Sequence, residues 1–183
     1  MNKYNIIYAD PPWQYTSKSV APSKEVTNHY PTMCISDILK LPIAEIADNN
    51  CFSFLWVTFP NLQEGLDVIK AWGFEYKTVA FNWVKMNKKS DSWFWGMGSY
   101  TRANSEVCLL GKKGKPAVAS HSVHSVLSER VERHSKKPDI VRNKIVELCG
   151  DLPRAELFAR QATSGWDVWG NEVACDIEMG DMT

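Results

Sequence analysis

Short apolar runs alternate along the chain with longer segments whose apolar residues recur at helical spacing. The short runs, rich in apolar and β-branched residues, predict strands at residues 5–9, 51–58, 78–84, 105–111, 155–158 and 167–169. The helical spacing predicts helices over residues 36–47, 62–72 and 139–148. Residues that commonly start or end helices bound these segments, namely Ser36, Asn61, Gly73, Pro138 and Gly150. This alternation predicts an α/β fold in which helices pack on a sheet.

Three long segments, residues 14–30, 86–102 and 115–135, show neither pattern. They are long for passive connections, which favours a role in binding. The second and third combine basic residues with aromatic rings and a histidine, namely Trp93, Phe94, Trp95, Tyr100 and His121. This mixture is suited to phosphates and unstacked bases. For the run from Trp93 to Trp95, a buried patch or a subunit interface is an equally good interpretation.

The 183 residues, of which 44% are hydrophobic, predict a single domain over residues 1–183. Residues 174–183 are expected to form a flexible acidic tail. The chain has no apolar run of about eighteen residues and no signal sequence at its start, so we expect a cytoplasmic protein without a membrane partner. Five cysteines without a CxxC pair predict reduced thiols, and no metal site is predicted.

The formal net charge is zero, with 21 basic and 21 acidic residues, which argues against binding to nucleic acid by electrostatics alone. The charge is unevenly distributed, because residues 111–137 contain seven basic and two acidic residues. The basic residues are Lys112, Lys113, Lys115, Arg130, Arg133, Lys136 and Lys137. This segment is predicted to form a basic face, with a solvated loop as the alternative.

Asp10, Pro11, Pro12 and Trp13 follow the first predicted strand and join a carboxylate, a rigid turn and an aromatic ring. The prolines cannot continue a strand ladder, so Asp10 is expected at the carboxyl end of the strand, where open α/β sheets bind ligands. These residue types suit a flat base with an amino group. Asp10 and the Pro11 carbonyl would accept hydrogen bonds from the two N–H groups of this amino group, and Trp13 would stack on the ring of the base. A helix cap, a turn and a core tryptophan are the alternative.

The expected role of Asp10 is to orient and polarise the amino group. A carboxylate with a pKa near ~4 is too weak a base to deprotonate a neutral aromatic amine. The proton would therefore leave after methyl transfer, when the nitrogen has become strongly acidic, and Asp10 or water would accept it.

Further motifs follow in order, namely Tyr30-Pro31-Thr32-Met33, Phe54-Leu55-Trp56-Val57-Thr58, Asn82-Trp83-Val84-Lys85, Cys108-Leu109-Leu110-Gly111, Lys137-Pro138-Asp139, Glu156-Leu157-Phe158-Ala159-Arg160 and Trp169-Gly170-Asn171-Glu172. Together with the tetrapeptide they resemble the MT-A70 family of adenine-N6 methyltransferases, over nearly the whole chain. The resemblance implies a Rossmann-like fold that uses S-adenosyl-L-methionine, with a mostly parallel central sheet and helices on both faces. It also implies a permuted order, in which the catalytic motif precedes most of the cofactor-binding elements.

The resemblance also implies roles for individual residues. The catalytic motif would be Asp10, Pro11, Pro12 and Trp13. The cofactor contacts would be Asp10, Lys137, Glu156, Phe158, Arg160, Asn171 and Glu172, with Lys137 on the methionine carboxylate, Asn171 on the ribose hydroxyls and Glu172 near the adenine. Considered without the order of the motifs, Lys137 would be interpreted as a solvated cation, and Arg160 as an ion-pair partner of Glu156. The predicted substrate contacts are Trp13, Tyr15, Tyr30, Lys85, Arg102, His121 and Arg133.

The predicted reaction is transfer of a methyl group to the N6 amino group of adenine in DNA, because compact family members resemble microbial and phage modification enzymes. An RNA adenine-N6 methyltransferase is the first alternative. A catalytically silent scaffold subunit with the same fold is the second, although such subunits typically lose the catalytic motif or cofactor contacts. A nicotinamide oxidoreductase is disfavoured, because no GxGxxG motif follows a strand. Since family members often work as pairs, a homodimer is a partner arrangement that the resemblance allows.

Overall fold

The computed structural model describes residues 2–14, 32–98, 100–133 and 135–179. Within them, seven strands form one sheet: β1 (Tyr4–Ala9), β2 (Ala47–Val57), β3 (Glu75–Met86), β4 (Glu106–Lys113), β5 (Val126–Arg130), β6 (Arg154–Leu157) and β7 (Asp167–Trp169). The helices of these residues are α1 (Ile35–Lys40), α2 (Ile43–Ile46), α3 (Leu62–Ala71) and α4 (Ile140–Cys149). A 3-10 turn, Phe59–Asn61, leads into α3.

The strand order across the sheet is β5-β3-β4-β2-β1-β6-β7. β4 runs antiparallel to its neighbours β2 and β3, whereas every other pair of neighbouring strands is parallel. This arrangement confirms the mostly parallel sheet that the resemblance implies. β1, which precedes Asp10, lies between β2 and β6 and is buried at every position except Asn5. A central parallel strand is covered on both faces, which explains its continuous apolar run.

Helices cover both faces of this sheet. On one face, Ile7 and Leu55 belong to a core cluster that also contains the buried residues of α1, α2 and α3. On the other face, Ile6 and Phe54 belong to a second cluster with the buried side of α4. Neighbouring side chains of a strand point to opposite faces, so consecutive residues of β1 contribute to both cores. The α/β fold with helices on both faces is therefore confirmed.

The first predicted helix is wrong in its start and its length. Pro42 has no N–H to continue the helical ladder, so α1 ends at Lys40 and the separate four-residue α2 follows. Ala47, predicted to end the helix, is the first residue of β2. Cys34 takes the N-cap position, and Ser36 lies inside α1.

The other two helices are close to their predicted bounds. α3 follows Asn61, which occupies the N-cap position without a capping hydrogen bond from its side chain. Gly73 and Gly150 lie just beyond α3 and at the end of α4, and both have positive φ, as expected for glycines that end helices. No helix of the described residues is long and apolar enough to cross a membrane.

The local sequence pattern does not predict β5, which lies within the segment 115–135 that shows no regular pattern. Its five residues include two charged side chains, and of the five only Leu127 is buried. β5 forms the edge of the sheet and pairs with β3 alone, so it needs no continuous apolar run. Pairing with a distant strand therefore creates an element that the local pattern does not indicate.

Within residues 174–179, the described part of the predicted flexible tail, Asp176 and Ile177 pack against the sheet. Val168 donates its N–H to Asp176 Oδ2 at 3.0 Å, and Asp176 donates its own N–H to the Val168 carbonyl at 2.9 Å. Ile177 is 4% exposed and belongs to the same core cluster as Tyr4. The first part of the predicted tail thus contributes to the core.

Candidate active site

One edge of the sheet collects the polar residues of the site. β1, β2, β3, β6 and β7 are parallel, so their carboxyl ends share this edge, and Asp10 follows β1 there. Because β4 is antiparallel, its first residue, Glu106, reaches the same edge and pairs with Trp83 of β3. Lys137 lies in the segment that leads into α4 and reaches Asp10. Residues far apart in the chain therefore meet beside Asp10.

The two prolines form a tight turn that aims backbone groups at this edge. The Pro11 carbonyl accepts the Trp13 N–H at 2.8 Å, and the Pro12 carbonyl accepts the Met33 N–H at 3.0 Å. A carbonyl oxygen has two lone pairs, so Pro11 keeps one for a further hydrogen bond.

Trp13 fixes this turn to the core. Its ring is 5% exposed, and its indole N–H donates to the Trp56 carbonyl at 2.9 Å. Trp13 also lines the smaller cavity, but a residue buried to this extent offers little surface to a purine, so the stacking role of Trp13 stays a prediction. The aromatic residue of the tetrapeptide anchors the turn against β2.

Asp10 belongs to an ion network of four charged side chains. Lys137 Nζ lies 2.8 Å from each carboxylate oxygen of Asp10 and 3.2 Å from Glu106 Oε2. Lys85 pairs with Oε1 of the same Glu106. The side chains of Lys137 and Glu106 are 9% and 14% exposed, whereas that of Asp10 is 27% exposed. Cations and anions alternate along the network, in the order Lys85, Glu106, Lys137 and Asp10. Asp10 stands at one end and has the most exposed side chain of the four.

The pKa values of the network follow from burial and from these contacts. Burial raises the pKa of Asp10 above its usual range, although the Lys137 ammonium opposes the shift. Burial alone would lower the pKa of Lys137, but the carboxylates of Asp10 and Glu106 outweigh it and raise that pKa. Burial alone would raise the pKa of Glu106, but Lys137 and Lys85 hold it below its usual range. Lys137 therefore stays a cation, and Asp10 becomes the better proton acceptor.

Replacing Glu106 by glutamine is expected to lower the free energy of unfolding by about 2 kcal/mol at neutral pH, because two buried ammonium groups lose their shared partner. The folded protein lowers the pKa of Glu106, so its stabilisation is complete above the ordinary value of 4.5 and is lost as pH falls through the folded value. Urea unfolding should therefore show a difference between wild type and variant that shrinks in acid. A difference independent of pH would contradict this role, and the exposed Glu45 provides the control substitution.

The larger cavity at this edge encloses about 670 Å³, including the space open to solvent. Most of the cofactor contacts implied by the resemblance line it, namely Asp10, Lys137, Glu156, Phe158, Arg160 and Glu172. Asn171 is exposed and lies beside Glu172, directly after Gly170 at the end of β7.

A smaller cavity of about 280 Å³ adjoins the larger one. Pro11, Trp56 and Glu106 line only the smaller cavity, whereas Asp10 and Lys137 line both. The carboxylate of Asp10 therefore stands at the boundary between two spaces. Such an arrangement can hold two reactants on either side of one polar group.

Backbone strain is concentrated at the larger cavity. Phe158 and Ser135 are the non-glycine residues with positive φ in the described parts of the chain, at 61° and 60°. Both line this cavity. Such conformations cost about 1–3 kcal/mol each and cluster at functional sites. The ring of Phe158 packs edge to face on Trp169, with 5.4 Å between the centroids, which holds the strained residue in place.

Arg142 and Tyr8 also line the larger cavity, and the sequence analysis assigns neither a role. Arg142 binds both carboxylate oxygens of Glu156, at 2.7 and 2.5 Å, and lies over the ring of Tyr8 at 5.8 Å. The partner of Glu156 is thus Arg142, and Arg160 instead lies 3.8 Å from Glu172. In the sequence, Arg142 stands out only as a charged residue beside the apolar positions of α4. Glu106 stands out in the same way, as a charged residue at the start of β4.

The predicted substrate contacts are only partly brought to this edge. Arg133 lines the larger cavity. Lys85 lies in the ion network, with its ammonium bound to Glu106. Arg102 is exposed in the connection between β3 and β4 and lines neither cavity. Tyr15 and Tyr30 lie outside the described residues.

His121, a predicted substrate contact, lies away from this edge of the sheet. Ala119 and Ser120 donate their N–H groups to the Leu148 carbonyl at 2.8 and 3.4 Å, near the end of α4. α4 begins beside Lys137 and runs away from the site, so this anchor holds His121 at the far end of the helix. A long connection such as the one that contains His121 can run to either edge of a sheet, and its amino-acid composition does not indicate which edge.

The basic residues of segment 111–137 do not form the predicted common face. Lys113 ends β4 at the edge opposite Glu106, where it donates to the carbonyls of Ala44 and Ala47. Lys136 pairs with acidic side chains beside the active-site edge. The end of β4 and the whole of β5 lie within this segment and place its charged residues at both edges of the sheet. Basic residues that are close together in the sequence are therefore separated in space.

Comparison with known proteins identifies the family. The family model described as MT-A70 matches residues 4–172. The type II methyltransferase M.MunI of Mycoplasma sp. is 33% identical over 189 residues, covering 93% of this chain and 78% of that protein. The N(6)-adenosine-methyltransferase catalytic subunit METTL3 of Homo sapiens is 28% identical, covering 94% of this chain and 29% of that protein. The N(6)-adenosine-methyltransferase MT-A70-like protein of Drosophila melanogaster is also 28% identical, covering 94% of this chain and 27% of that protein.

These matches span most of M.MunI but less than a third of the two eukaryotic relatives. The family match covers nearly the whole chain and includes every strand described above. The chain therefore belongs to the MT-A70 family of adenine-N6 methyltransferases, whose methyl donor is S-adenosyl-L-methionine.

Proposed function

We propose that this chain transfers the methyl group of S-adenosyl-L-methionine to the N6 amino group of adenine in DNA, and that Asp10 is the residue at which the reactants meet. The observation that carries the proposal is the position of the Asp10 carboxylate, at the boundary of the two cavities. In this arrangement the larger cavity takes the donor and the smaller one takes the amino group.

The residues of the larger cavity fit the donor chemically. The donor carries a carboxylate, and Lys137, which stays charged, offers its ammonium on this wall. The donor also carries an ammonium and a sulfonium, and the cavity presents the carboxylates of Glu156 and Glu172. Asn171, at the open end beside Glu172, offers both a donor and an acceptor to a ribose diol. When bound, the donor supplies an electrophilic methyl group.

Asp10 and Pro11 would act on the amino group of adenine. Asp10 Oδ2 accepts a hydrogen bond from Lys137 and Oδ1 lies 2.8 Å from the same ammonium, yet each oxygen can accept a further hydrogen bond, and the side chain remains 27% exposed. The Pro11 carbonyl also keeps one lone pair, and the turn that Trp13 anchors holds it on the wall of the smaller cavity. Two acceptors on two N–H bonds draw electron density back onto the nitrogen, which makes it a better nucleophile.

The ion network then determines where the proton goes. Transfer forms the N–C bond as the bond between the methyl carbon and sulfur breaks, which leaves a neutral thioether and a positively charged nitrogen with an acidic proton. A carboxylate is a strong enough base to accept that proton. Burial raises the pKa of Asp10, which suits it to this task. Lys137 cannot serve as the base because the two adjoining carboxylates keep it protonated. Its part is to bind a carboxylate and to hold Asp10 in position.

The choice of DNA rests on similarity to a compact relative. The chain covers 78% of the type II methyltransferase M.MunI, whereas it covers 29% of METTL3. RNA is the second candidate, and the similarity to N(6)-adenosine-methyltransferases favours it. A silent scaffold is disfavoured because Asp10 and Lys137 are both present and lie in contact.

Labelled S-adenosyl-L-methionine should transfer its methyl group to adenine when the protein is incubated with adenine-containing oligonucleotides. Single-stranded DNA, duplex DNA and RNA of the same base sequence are compared side by side, and the modified nucleoside is identified by mass spectrometry. We expect N6-methyladenine in DNA, formed faster than in RNA. Faster modification of RNA would overturn the choice of DNA, and absence of label in all three would overturn the proposed reaction.

A further inference from the structure

The connection between β3 and β4, residues 87–105, is here called the aromatic loop. β3 ends and β4 begins at the edge that carries Asp10, so the aromatic loop emerges beside the active site. Phe94 donates its N–H to the Lys85 carbonyl at 2.9 Å, and Asn104 Nδ2 donates to the same carbonyl at 3.0 Å. These bonds fasten the aromatic loop to the residue that starts the ion network around Asp10.

Large apolar side chains of the aromatic loop face solvent. Trp93 is 47% exposed, Trp95 62% and Met97 90%, whereas the intervening Phe94 is partly buried. This alternation is typical of an extended chain that turns every second side chain to one side. Tyr100, further along the aromatic loop, is fully exposed. Exposed rings in such a concentration indicate a binding surface.

The charge of the aromatic loop indicates what binds there. Lys88, Lys89 and Arg102 are exposed, and the guanidinium of Arg102 lies 3.5 Å from the sulfur of Met97. The acidic residue of the loop, Asp91, is held in an ion pair by Arg130 of β5. Two adjacent exposed lysines, Lys88 and Lys89, are poorly suited to the apolar centre of a protein interface, which is depleted of lysine. Cations among exposed rings suit a chain of phosphates and unstacked bases.

We propose that the aromatic loop binds unpaired nucleotides next to the target adenine, with Trp95 and Tyr100 stacking on bases and the cations contacting phosphates. The inference rests on the proposed function for the identity of the reacting base and adds the form of the substrate, a single-stranded or locally opened nucleic acid. It also adds exposed rings to a site whose own tryptophan, Trp13, is largely buried. Unstacking a target base costs free energy, and stacking neighbours on exposed rings offsets that cost.

The test measures binding separately from methyl transfer. Fluorescence anisotropy gives the dissociation constant of a labelled single-stranded oligonucleotide for wild type and for Trp95→Ala, Tyr100→Ala and the double variant. We expect each substitution to weaken binding roughly tenfold. Tyr76→Ala is the matched control, because Tyr76 is 42% exposed but lies at the start of β3, at the opposite edge. Its dissociation constant should equal that of wild type.

A second pair of variants tests the phosphate contacts. Lys88→Ala with Lys89→Ala should reduce the dependence of binding on salt concentration, whereas Lys77→Ala, beyond the aromatic loop, should not. An unchanged oligonucleotide affinity in the Trp95 and Tyr100 double variant overturns the inference. So does the finding that this double variant merely converts a dimer to a monomer, as judged by sedimentation.

These results separate this inference from the proposed function. If wild type methylates none of the oligonucleotides but the double variant still loses affinity, the aromatic loop binds nucleic acid and the proposed reaction is wrong. If wild type methylates adenine and the double variant shows the same KM for single-stranded DNA, the reaction is right and the inference is wrong. Opened duplexes that carry unpaired bases beside adenine should bind like single strands, and closed duplexes more weakly.

Discussion

Replacing Asp10 by alanine is expected to lower the rate constant for methyl transfer by about a thousandfold or more, with donor affinity close to that of wild type. Asp10 stands between the two cavities and carries the carboxylate that would polarise the amino group. That interaction strengthens as the nitrogen attacks, so its loss should act on the transition state more than on binding. Single-turnover kinetics with labelled donor measure the rate, and calorimetry measures the affinity for the donor.

Two further variants, one at Asp10 and one control, show whether the loss of rate is specific to the carboxylate of Asp10. Asp10→Asn keeps the shape and one acceptor oxygen but removes the negative charge, so its rate should fall between those of wild type and the alanine variant. Asp151→Asn removes a carboxylate that is 86% exposed and precedes the start of β6, at the edge of the sheet opposite the site, and its rate should match wild type. Turnover by Asp10→Ala at the wild-type rate would remove Asp10 from the reaction.

Replacing Lys137 by alanine is expected to weaken donor binding by about tenfold to a hundredfold. Lys137 is the cation that both cavities share, and the neighbouring carboxylates keep it charged. Without it, a bound carboxylate would lose a charge-assisted hydrogen bond in a largely buried wall. Calorimetric titration with S-adenosyl-L-methionine measures the change in the dissociation constant directly.

Lys136→Ala is the matched control for Lys137. The two lysines are adjacent, but the ammonium of Lys136 is held by Glu132 and Asp139. We expect its substitution to change donor affinity much less. An unchanged dissociation constant in Lys137→Ala would contradict the role proposed for it. Circular dichroism on both variants shows whether removal of a buried charge has instead unfolded the protein.

Local sequence was sufficient to locate the central part of the site. An apolar run followed by two prolines fixes where β1 ends, and a carboxylate at that point must lie at the carboxyl edge of the sheet. The order of further motifs placed Lys137, Glu156 and Arg160 on the same cavity without any knowledge of their spacing. The roles predicted for these residues depend on the fold of the family, to which this chain belongs.

Other features of the site depend on contacts that local patterns do not encode. A tryptophan after a turn is equally compatible with a binding face and with the core, and the local sequence does not reveal that Trp13 packs on β2. Glu106 lies at the edge that carries Asp10 because β4 runs antiparallel to its neighbours β2 and β3. The direction of a strand depends on its pairing with distant residues, so the sequence did not reveal this carboxylate as part of the site.

The connections were the least predictable part of the chain. Residues 115–135 carry a basic and histidine-containing sequence that suggests a nucleic-acid surface, yet they include the edge strand β5 and leave His121 near the far end of α4. The aromatic loop has a similar composition and does emerge at the active edge. Composition therefore indicated what these segments can bind, while the topology of the sheet determined which of them lies near Asp10.

The most direct test of this account is a structure of the protein with S-adenosylhomocysteine and an oligonucleotide that contains adenine. The account predicts the sulfur in the cavity lined by Lys137 and Phe158, and the N6 nitrogen within hydrogen-bond distance of the Asp10 carboxylate and the Pro11 carbonyl. A sulfur bound outside that cavity, or an N6 nitrogen turned away from Asp10 while both carboxylate oxygens remain closed off by Lys137, would contradict it.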